Sequence, residues 1–105
     1  MRVSERGMHN ALKNREPFAT YKDTMVGERF TSRVVGMADV GFLAQKSNED
    51  YNDFVITFMA GDLDYVVWSY RTPIAWVKTN GEVVIPNIKY SVTTTRHQSV
   101  VKRYL

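Results

Sequence analysis

The stretch over residues 64–86 constrains the fold most, because it holds three β-rich runs separated by turn sequences. The runs lie at 65–70, 74–77 and 82–85. Each is rich in the β-branched and aromatic residues that favour strands. Asn80 and Gly81 separate the last two runs, and both tolerate the positive φ that a type I′ hairpin turn requires. The pattern predicts a three-stranded antiparallel meander, with a fourth strand expected over 88–92.

Residues 48–60 carry the clearest helical pattern. Ser47 is the expected N-cap, and acidic residues follow it in the first turn, where the helix dipole favours negative charge. Apolar residues recur with helical period at Tyr51, Phe54, Val55, Phe58 and Met59. Gly61 stands where helices often end in a residue of positive φ. These flanking signals predict a helix, although the run over 54–58 taken alone is also strand-like.

The chain closes with a second helical pattern. Thr95 and Gln98 have the spacing of a capping box. An apolar stripe follows at Val100, Val101, Tyr104 and Leu105. Lys102 and Arg103 then lie in the last turn of a helix over 95–104, where cations suit the dipole. The expected fold is α+β: an antiparallel sheet of four or five strands, with the central helix packed on one face and the short C-terminal helix at an end or edge.

The first 25 residues are poorly defined by their pattern. Apolar residues with helical spacing stand at Met8, Ala11 and Leu12. They allow a short helix near 5–14 that Pro17 would end. A loosely held segment is the alternative.

The rest of the chain reads as one unit. Residues 28–35 alternate like a strand, and a bend is expected between Gly36 and Gly41. No repeat, linker or low-complexity tract interrupts the sequence, and 105 residues fit one domain. We therefore expect a single domain over 26–105, preceded by the segment 1–25.

The composition excludes several classes of function. The chain has no cysteine, which excludes disulfides and thiolate zinc sites. His9 and His97 are the only histidines, and no ligand spacing or glycine-rich phosphate motif occurs, so neither a metal nor a cofactor is expected. No apolar run approaches the roughly 18 residues of a membrane span, and no signal-peptide core follows the N-terminus. The expected location is the cytoplasm, with no membrane partner.

Charge is unevenly distributed along the chain. The net charge is +3, but residues 1–35 carry +3, residues 36–67 carry −5 and residues 68–105 carry +5. A chain divided in this way can present a polar field. The alternative is that folding brings the acidic middle beside the basic ends and neutralises them.

Aromatic and basic residues in the last third form the first candidate site. Strand alternation places Trp68 and Tyr70 on one sheet face, with Arg71, Lys78 and Lys89 near enough to meet phosphates. Bases stack on such rings with about 1–3 kcal/mol each and little sequence preference. The alternative is that these rings form the core on which the 48–60 helix packs.

The segment 90–98 forms the second candidate site. It brings Tyr90, Ser91 and a run of threonines to a helix start that carries Arg96 and His97. Backbone N–H groups at a helix N-terminus bind anions, and neighbouring hydroxyl and cationic groups strengthen such binding. The alternative is that the hydroxyls only cap the helix and the histidine is structural.

Three functions follow from these sites. The leading one is a non-enzymatic nucleic-acid-binding module, for single strands or RNA. Its candidate residues are Trp68, Tyr70, Arg71, Lys78, Lys89, Tyr90, Ser91, Thr94, Thr95, Arg96, His97, Gln98, Lys102 and Arg103. The second is a factor that engages or inhibits a host protein through the acidic middle. The third is a metal-free ribonuclease with His97 as acid or base, beside Tyr70 and Arg96.

Two segments carry a resemblance to a known group of proteins. The run 68–76, WSYRTPIAW, and the run 90–98, YSVTTTRHQ, resemble the YSY-x-TPIAW and YS-x-TT-x-x-HQ hallmarks of a family of small proteins from actinobacterial phages and plasmids. The resemblance covers about residues 64–100, and Trp68 replaces a usual tyrosine. It implies a phage or mobile-element setting and no particular chemistry. It also implies one working unit, structural or functional, made of Tyr70, Thr72, Pro73, Tyr90, Ser91, Thr94, His97 and Gln98.

Overall fold

A computed structural model describes residues 5–20, 24–29, 46–70, 72–89 and 92–105. The helices in these ranges are α1 (Glu5–Asn14), α2 (Asn48–Met59) and α3 (Val92–Tyr104). The strands are β1 (Phe18–Ala19), β2 (Met25–Arg29), β3 (Leu63–Ser69), β4 (Thr72–Lys78) and β5 (Val83–Val84). The strands pair antiparallel, in the order β1-β2-β3-β4-β5, in one sheet. The expected α+β fold is therefore confirmed.

The two faces of the sheet are covered by different helices. Alternation along β3 sends Tyr65 and Val67 into a core shared with α1 and α3. Val66 and Trp68 point the other way and pack with Phe54 of α2. The C-terminal helix α3 thus lies on the sheet face opposite α2. Its sequence pattern had instead predicted a position at an end or edge of the sheet. The reason is that its apolar stripe is needed to complete the first core.

The β4–β5 hairpin forms where the Asn-Gly sequence predicts it, but with a different turn. Gly81 has φ 93°, whereas Asn80 does not have positive φ. The Gly81 N–H donates to the Lys78 carbonyl at 2.9 Å, and the Lys78 N–H donates to the Glu82 carbonyl at 2.9 Å. This is a type I turn closed by a glycine bulge, so the type I′ prediction is wrong. The Asn80 Oδ1 accepts from the Glu82 N–H, which holds the residue in its turn conformation.

Both ends of α2 are capped as predicted. The Ser47 Oγ accepts from the Asp50 N–H at 3.2 Å. At the other end the Gly61 N–H donates to Phe58 and the Asp62 N–H donates to Thr57, with Gly61 at φ 74°. These paired bonds form a Schellman motif, which satisfies the carbonyls that a helix leaves unpaired.

The helix α3 begins earlier than its sequence indicates. It starts at Val92, so Thr95 and Gln98 lie inside it and the predicted capping box is wrong. The Gln98 Nε2 instead donates to the Ile88 carbonyl at 2.8 Å. The predicted strand over 88–92 is wrong as well, since Ile88 and Lys89 are not in a strand and Val92 opens the helix.

The N-terminal region packs into the same core as the sheet. The helix α1 forms over Glu5–Asn14, as its spacing allows, and buries Leu12 completely. It ends in a second Schellman pattern, in which Arg15 has φ 53°. After α1, β1 pairs with β2 through Phe18 and Gly27.

The strand β2 begins three residues before the strand predicted over 28–35. Residues 30–35 and the predicted bend at 36–41 lie outside the described residues. At Gly27 a Cβ would overlap the Tyr65 hydroxyl and the Phe18 ring. The strand therefore requires glycine at this position because of close packing, not because of its φ.

Candidate functional site

The two tryptophans lie on the α2 side of the sheet. Trp76 is fully buried, meets the Phe54 ring edge-on at 5.0 Å and donates its indole N–H to Asp53 Oδ2 at 2.9 Å. Trp68 is half-buried, and its ring lies edge-on to Phe54 at 5.9 Å. Its indole nitrogen is buried and forms no hydrogen bond to any residue that the structure describes. Neither ring is presented as an open platform, so packing against α2 accounts for both.

Tyr70 occupies a different place from Trp68. It follows β3 with φ 57°, and this left-handed conformation ends the strand alternation. The Tyr70 side chain is 53% exposed, and its ring centroid lies 6.3 Å from that of His97 on α3. The expectation that the two rings share one face is therefore wrong. Tyr70 is the exposed ring at the end of the sheet, on the α3 side.

Hydrogen bonds to and between neighbouring hydroxyl groups hold the His97 ring in position. The Ser69 Oγ lies 2.7 Å from His97 Nδ1 and 3.1 Å from the Thr94 Oγ1. Ser69 and Thr94 are buried, and His97 is partly exposed. Ser69 is thus enclosed and positions the imidazole. Burial lowers the pKa of His97, so the ring is uncharged at neutral pH. With Nδ1 engaged, Nε2 is the nitrogen through which the ring can meet a ligand.

The outer side of α3 is basic. Arg96 and Arg103 are exposed and seven residues apart, which places them on one stripe of the helix. Lys102 is also exposed, to one side of that stripe, and no acidic residue occurs in α3. Within the described part of the chain none of these three cations forms an ion pair. The helix therefore projects three uncompensated positive charges into solvent.

Two cations outside α3, Lys78 and Arg29, are paired with carboxylates. The Lys78 Nζ donates to Asp53 Oδ1 at 2.9 Å and lies 3.5 Å from Glu82 Oε1. The hydrogen bond to Asp53 raises the pKa of Lys78. The Arg29 guanidinium bonds to Asp64 at 3.0 Å. Lys78 is therefore committed to carboxylates, and its predicted role at a phosphate is not supported by its surroundings.

The carboxylate of Asp53 was not singled out by sequence reasoning. It joins the buried Trp76 indole to Lys78 and lines a cleft of about 460 Å³ between α2 and the β4–β5 hairpin. The signal that was available is the tryptophan itself, because a buried indole N–H needs an acceptor. Which residue supplies that acceptor depends on the fold, because Asp53 and Trp76 are far apart in the sequence.

The predicted site residues that the structure describes fall into three groups. Tyr70, Thr94 and His97 come together, and Ser69, which was not among the predicted site residues, connects them. The residues Lys89, Thr95, Arg96, Lys102 and Arg103 are exposed on or next to α3, and Gln98 is buried beneath it. Trp68 and Lys78 lie on the α2 side. Arg71, Tyr90 and Ser91 are outside the described residues.

Two further observations concern possible ligands. Among the described residues no three acidic or histidine side chains are grouped so that they could hold a metal ion. In the same part of the chain, no helix combines the length and the apolar character needed to cross a bilayer.

The fold and the site define a small antiparallel α+β domain with a basic C-terminal helix. The chain belongs to a family of unknown function, DUF8033, whose model matches residues 12–103. Neither the curated proteins nor the solved structures contain a match to this chain.

Proposed function

We propose that this chain is a non-enzymatic nucleic-acid-binding module for single-stranded DNA or RNA. Its contact surface is the outer side of α3, together with the exposed ring of Tyr70. The observation that carries the proposal is the set of three exposed cations, Arg96, Lys102 and Arg103, without a carboxylate partner in the described residues. Phosphate backbones bind such surfaces by releasing condensed counterions.

The placement of the unpaired cations supports this choice. Lys78 and Arg29 are neutralised by neighbouring carboxylates. The α3 cations have no carboxylate partner among the described residues, so neighbouring negative charge does not offset their field. Arg96 and Arg103 lie about 10 Å apart along the helix axis at 1.5 Å per residue. That spacing allows one strand to contact both guanidinium groups through separate phosphates.

Tyr70 supplies the aromatic part of the surface. Its ring is 53% exposed at the end of the sheet, beside His97. Stacking of a base on such a ring is worth about 1–3 kcal/mol and tolerates any sequence. The proposal therefore keeps Tyr70 as the stacking group and leaves out Trp68, which packs against α2.

Binding of a fluorescent oligonucleotide at low salt tests the proposal. The dissociation constant should rise steeply with salt, and Arg96→Ala with Arg103→Ala should reduce the slope by about 0.7 per lost phosphate contact on a single strand. Arg29→Ala is the matched control, because that guanidinium is already paired with Asp64. Absence of binding at about micromolar protein and low salt would contradict the proposal.

Heparin separates stacking from simple attraction to polyanions. It offers negative charge without bases, so Tyr70→Ala should weaken oligonucleotide binding by about 5- to 150-fold and leave heparin binding unchanged. An equal loss for both ligands would show that the ring does not stack on bases.

We also propose the biological setting. The hallmark runs at 68–76 and 90–98 support a small accessory protein encoded by a phage or plasmid. A chain of 105 residues without cysteine suits the reducing cytoplasm of a host bacterium. Fractionation of cells that express the tagged protein tests the location, and recovery in the membrane or secreted fraction would oppose it.

A protein-interaction function is the second candidate. It is favoured by α2, where Ile56 and Met59 are 68% and 77% exposed next to three acidic residues of the same helix. A pull-down from host lysate that retains a specific band after nuclease treatment would support it. The ribonuclease hypothesis makes a separate prediction, namely RNA cleavage that disappears in a folded His97→Ala variant.

A further inference from the structure

The outer stripes of α2 and α3 are complementary to each other. On α2 the exposed stripe consists of Glu49, Asn52, Ile56 and Met59, at helical spacing. On α3 it consists of Val92, Arg96, Ser99 and Arg103. The α2 stripe has Ile56 and Met59 at its C-terminal end and Glu49 at its N-terminal end. The α3 stripe has Val92 at its N-terminal end, followed by Arg96 and Arg103. The signs of the charges are opposite.

The two helices cannot meet within one chain. The α2 helix packs on one core and α3 on the other, on opposite faces of the sheet. Because the two stripes lie on opposite sides of the molecule, each can pair with its complement only on a second copy of the chain. We propose that the chain associates head to tail, with the α3 stripe of one copy packed antiparallel on the α2 stripe of the next.

The antiparallel arrangement follows from the order of residues along each stripe. It sets Val92, which is 74% exposed, against Ile56 and Met59. Along the axis of α3, Arg103 lies about 16 Å from Val92, at 1.5 Å per residue. Along the axis of α2, Glu49 lies about 10–15 Å from Ile56 and Met59. Arginine and glutamate side chains span the remaining difference. A parallel arrangement would place Arg103 against the apolar end of α2 and Val92 against Glu49.

Overall charge supports the same pairing. The α2 sequence contains no cation. Its Glu49 and Asp50 have no cationic partner among the described residues, whereas Asp53 is paired with Lys78. The α3 sequence contains Arg96, Lys102 and Arg103 with no acid. Two α3 helices or two α2 helices would repel, so the contact is heterologous, and each added copy leaves both kinds of surface free at the ends.

The association should be weak and sensitive to salt. One helix packed on one helix covers less than the roughly 800 Å² per partner that a stable complex buries. Its charge pairs lie at the rim, where salt screens them. The α3 stripe also carries the proposed nucleic-acid surface, so an oligonucleotide and a second copy would exclude each other. The test is therefore made without nucleic acid, and its outcome is independent of the proposed function.

Sedimentation analysis of two complementary variants provides the test. The wild-type average mass should rise beyond a dimer between about 10 µM and about 1 mM at low salt, a range that covers weak dissociation constants. Ile56→Lys with Met59→Lys removes the α2 surface, and Arg96→Ala with Arg103→Ala removes the α3 surface. Each double variant should stay monomeric. Arg29→Ala, whose guanidinium is already paired with Asp64 outside both stripes, should associate like the wild type.

The decisive sample is the equimolar mixture of the two double variants. Each retains the surface that the other lacks, so the mixture should form a dimer of one copy of each and stop there. Because all four substituted residues are exposed, circular dichroism should show unchanged folding. A wild-type monomer at 1 mM, association that persists in either double variant, or no dimer in the mixture would each overturn the proposal.

Discussion

The α2 side and the α3 side of this sheet treat polar and charged groups in opposite ways. On the α2 side, Asp53 accepts from a buried indole and pairs with Lys78, so the cation is neutralised. On the α3 side, Ser69, Thr94 and His97 form an uncharged polar cluster, while the arginines of α3 stay in solvent. The comparison shows that Lys78 is neutralised on its side of the sheet, whereas Arg96 and Arg103 have no carboxylate partner among the described residues. Of the acidic middle, Asp53 and Asp64 are paired with cations.

The largest expected effect is on the α2 side. Asp53→Ala would leave the Trp76 N–H buried without an acceptor, because the indole is fully buried. Loss of that bond and of the pair with Lys78 should reduce the free energy of unfolding by about 2–3 kcal/mol. Urea denaturation measures the loss, with the exposed Asp62→Ala in the same cleft as control. Equal effects for the two variants would show that Asp53 has no special structural role.

A smaller loss is expected from Ser69→Ala on the α3 side. The substitution removes the hydroxyl that meets both His97 and Thr94. We expect destabilisation of about 1–2 kcal/mol, below that of Asp53→Ala, because no charged partner is lost. Ser99→Ala, on the exposed side of α3, should change stability by less than about 0.5 kcal/mol. If Ser69→Ala were as mild as Ser99→Ala, the hydroxyl cluster would not stabilise the fold.

The ends of α1 and α2 provide a third contrast. Both have a residue of positive φ after the last turn, which is Arg15 for α1 and Gly61 for α2. Arg15→Gly should stabilise the protein by up to about 1 kcal/mol, whereas Gly61→Ala should destabilise it by about 1 kcal/mol. Thermal unfolding of the two variants checks both signs. Stabilisation by Gly61→Ala would contradict the assigned backbone conformation.

The smallest effect concerns pH. Burial lowers the pKa of His97 in the folded state, so the unfolded chain binds more protons as the pH falls below about 6.5. Stability should therefore decrease from neutral pH towards acid, until the pH passes the lower folded pKa. In His97→Gln this part of the decrease should disappear. An unchanged loss of stability towards acid pH in that variant would show that other groups cause the loss.

Local signals explain which parts of the fold could be predicted. The caps at Ser47 and Gly61 lie next to the residues they serve, so α2 was predicted almost to its ends. The strands β3 and β4 were predicted because their composition is strongly β-forming. By contrast, β1 has only two residues and exists through its pairing with β2, which no local pattern reveals.

The start of α3 shows how tertiary contacts override propensity. Val92 and the threonines after it favour a strand by composition. The helix forms nevertheless, since it buries Val101 in the core and lets Gln98 reach the Ile88 carbonyl. The cluster of Thr94 with His97 was predictable from the segment 90–98. Its link to Ser69 was not, because the two segments are joined only in the folded sheet.

Tyr70 has a consequence for the kinetics of recognition. A non-glycine residue in the left-handed region costs about 1–2 kcal/mol, and glycine would adopt φ 57° at this position without that cost. The conformation is settled when the hairpin closes, before any encounter with a ligand. In the proposed nucleic-acid binding, an oligonucleotide would therefore meet a ring whose backbone conformation is already set, which favours fast capture over slow induced fit.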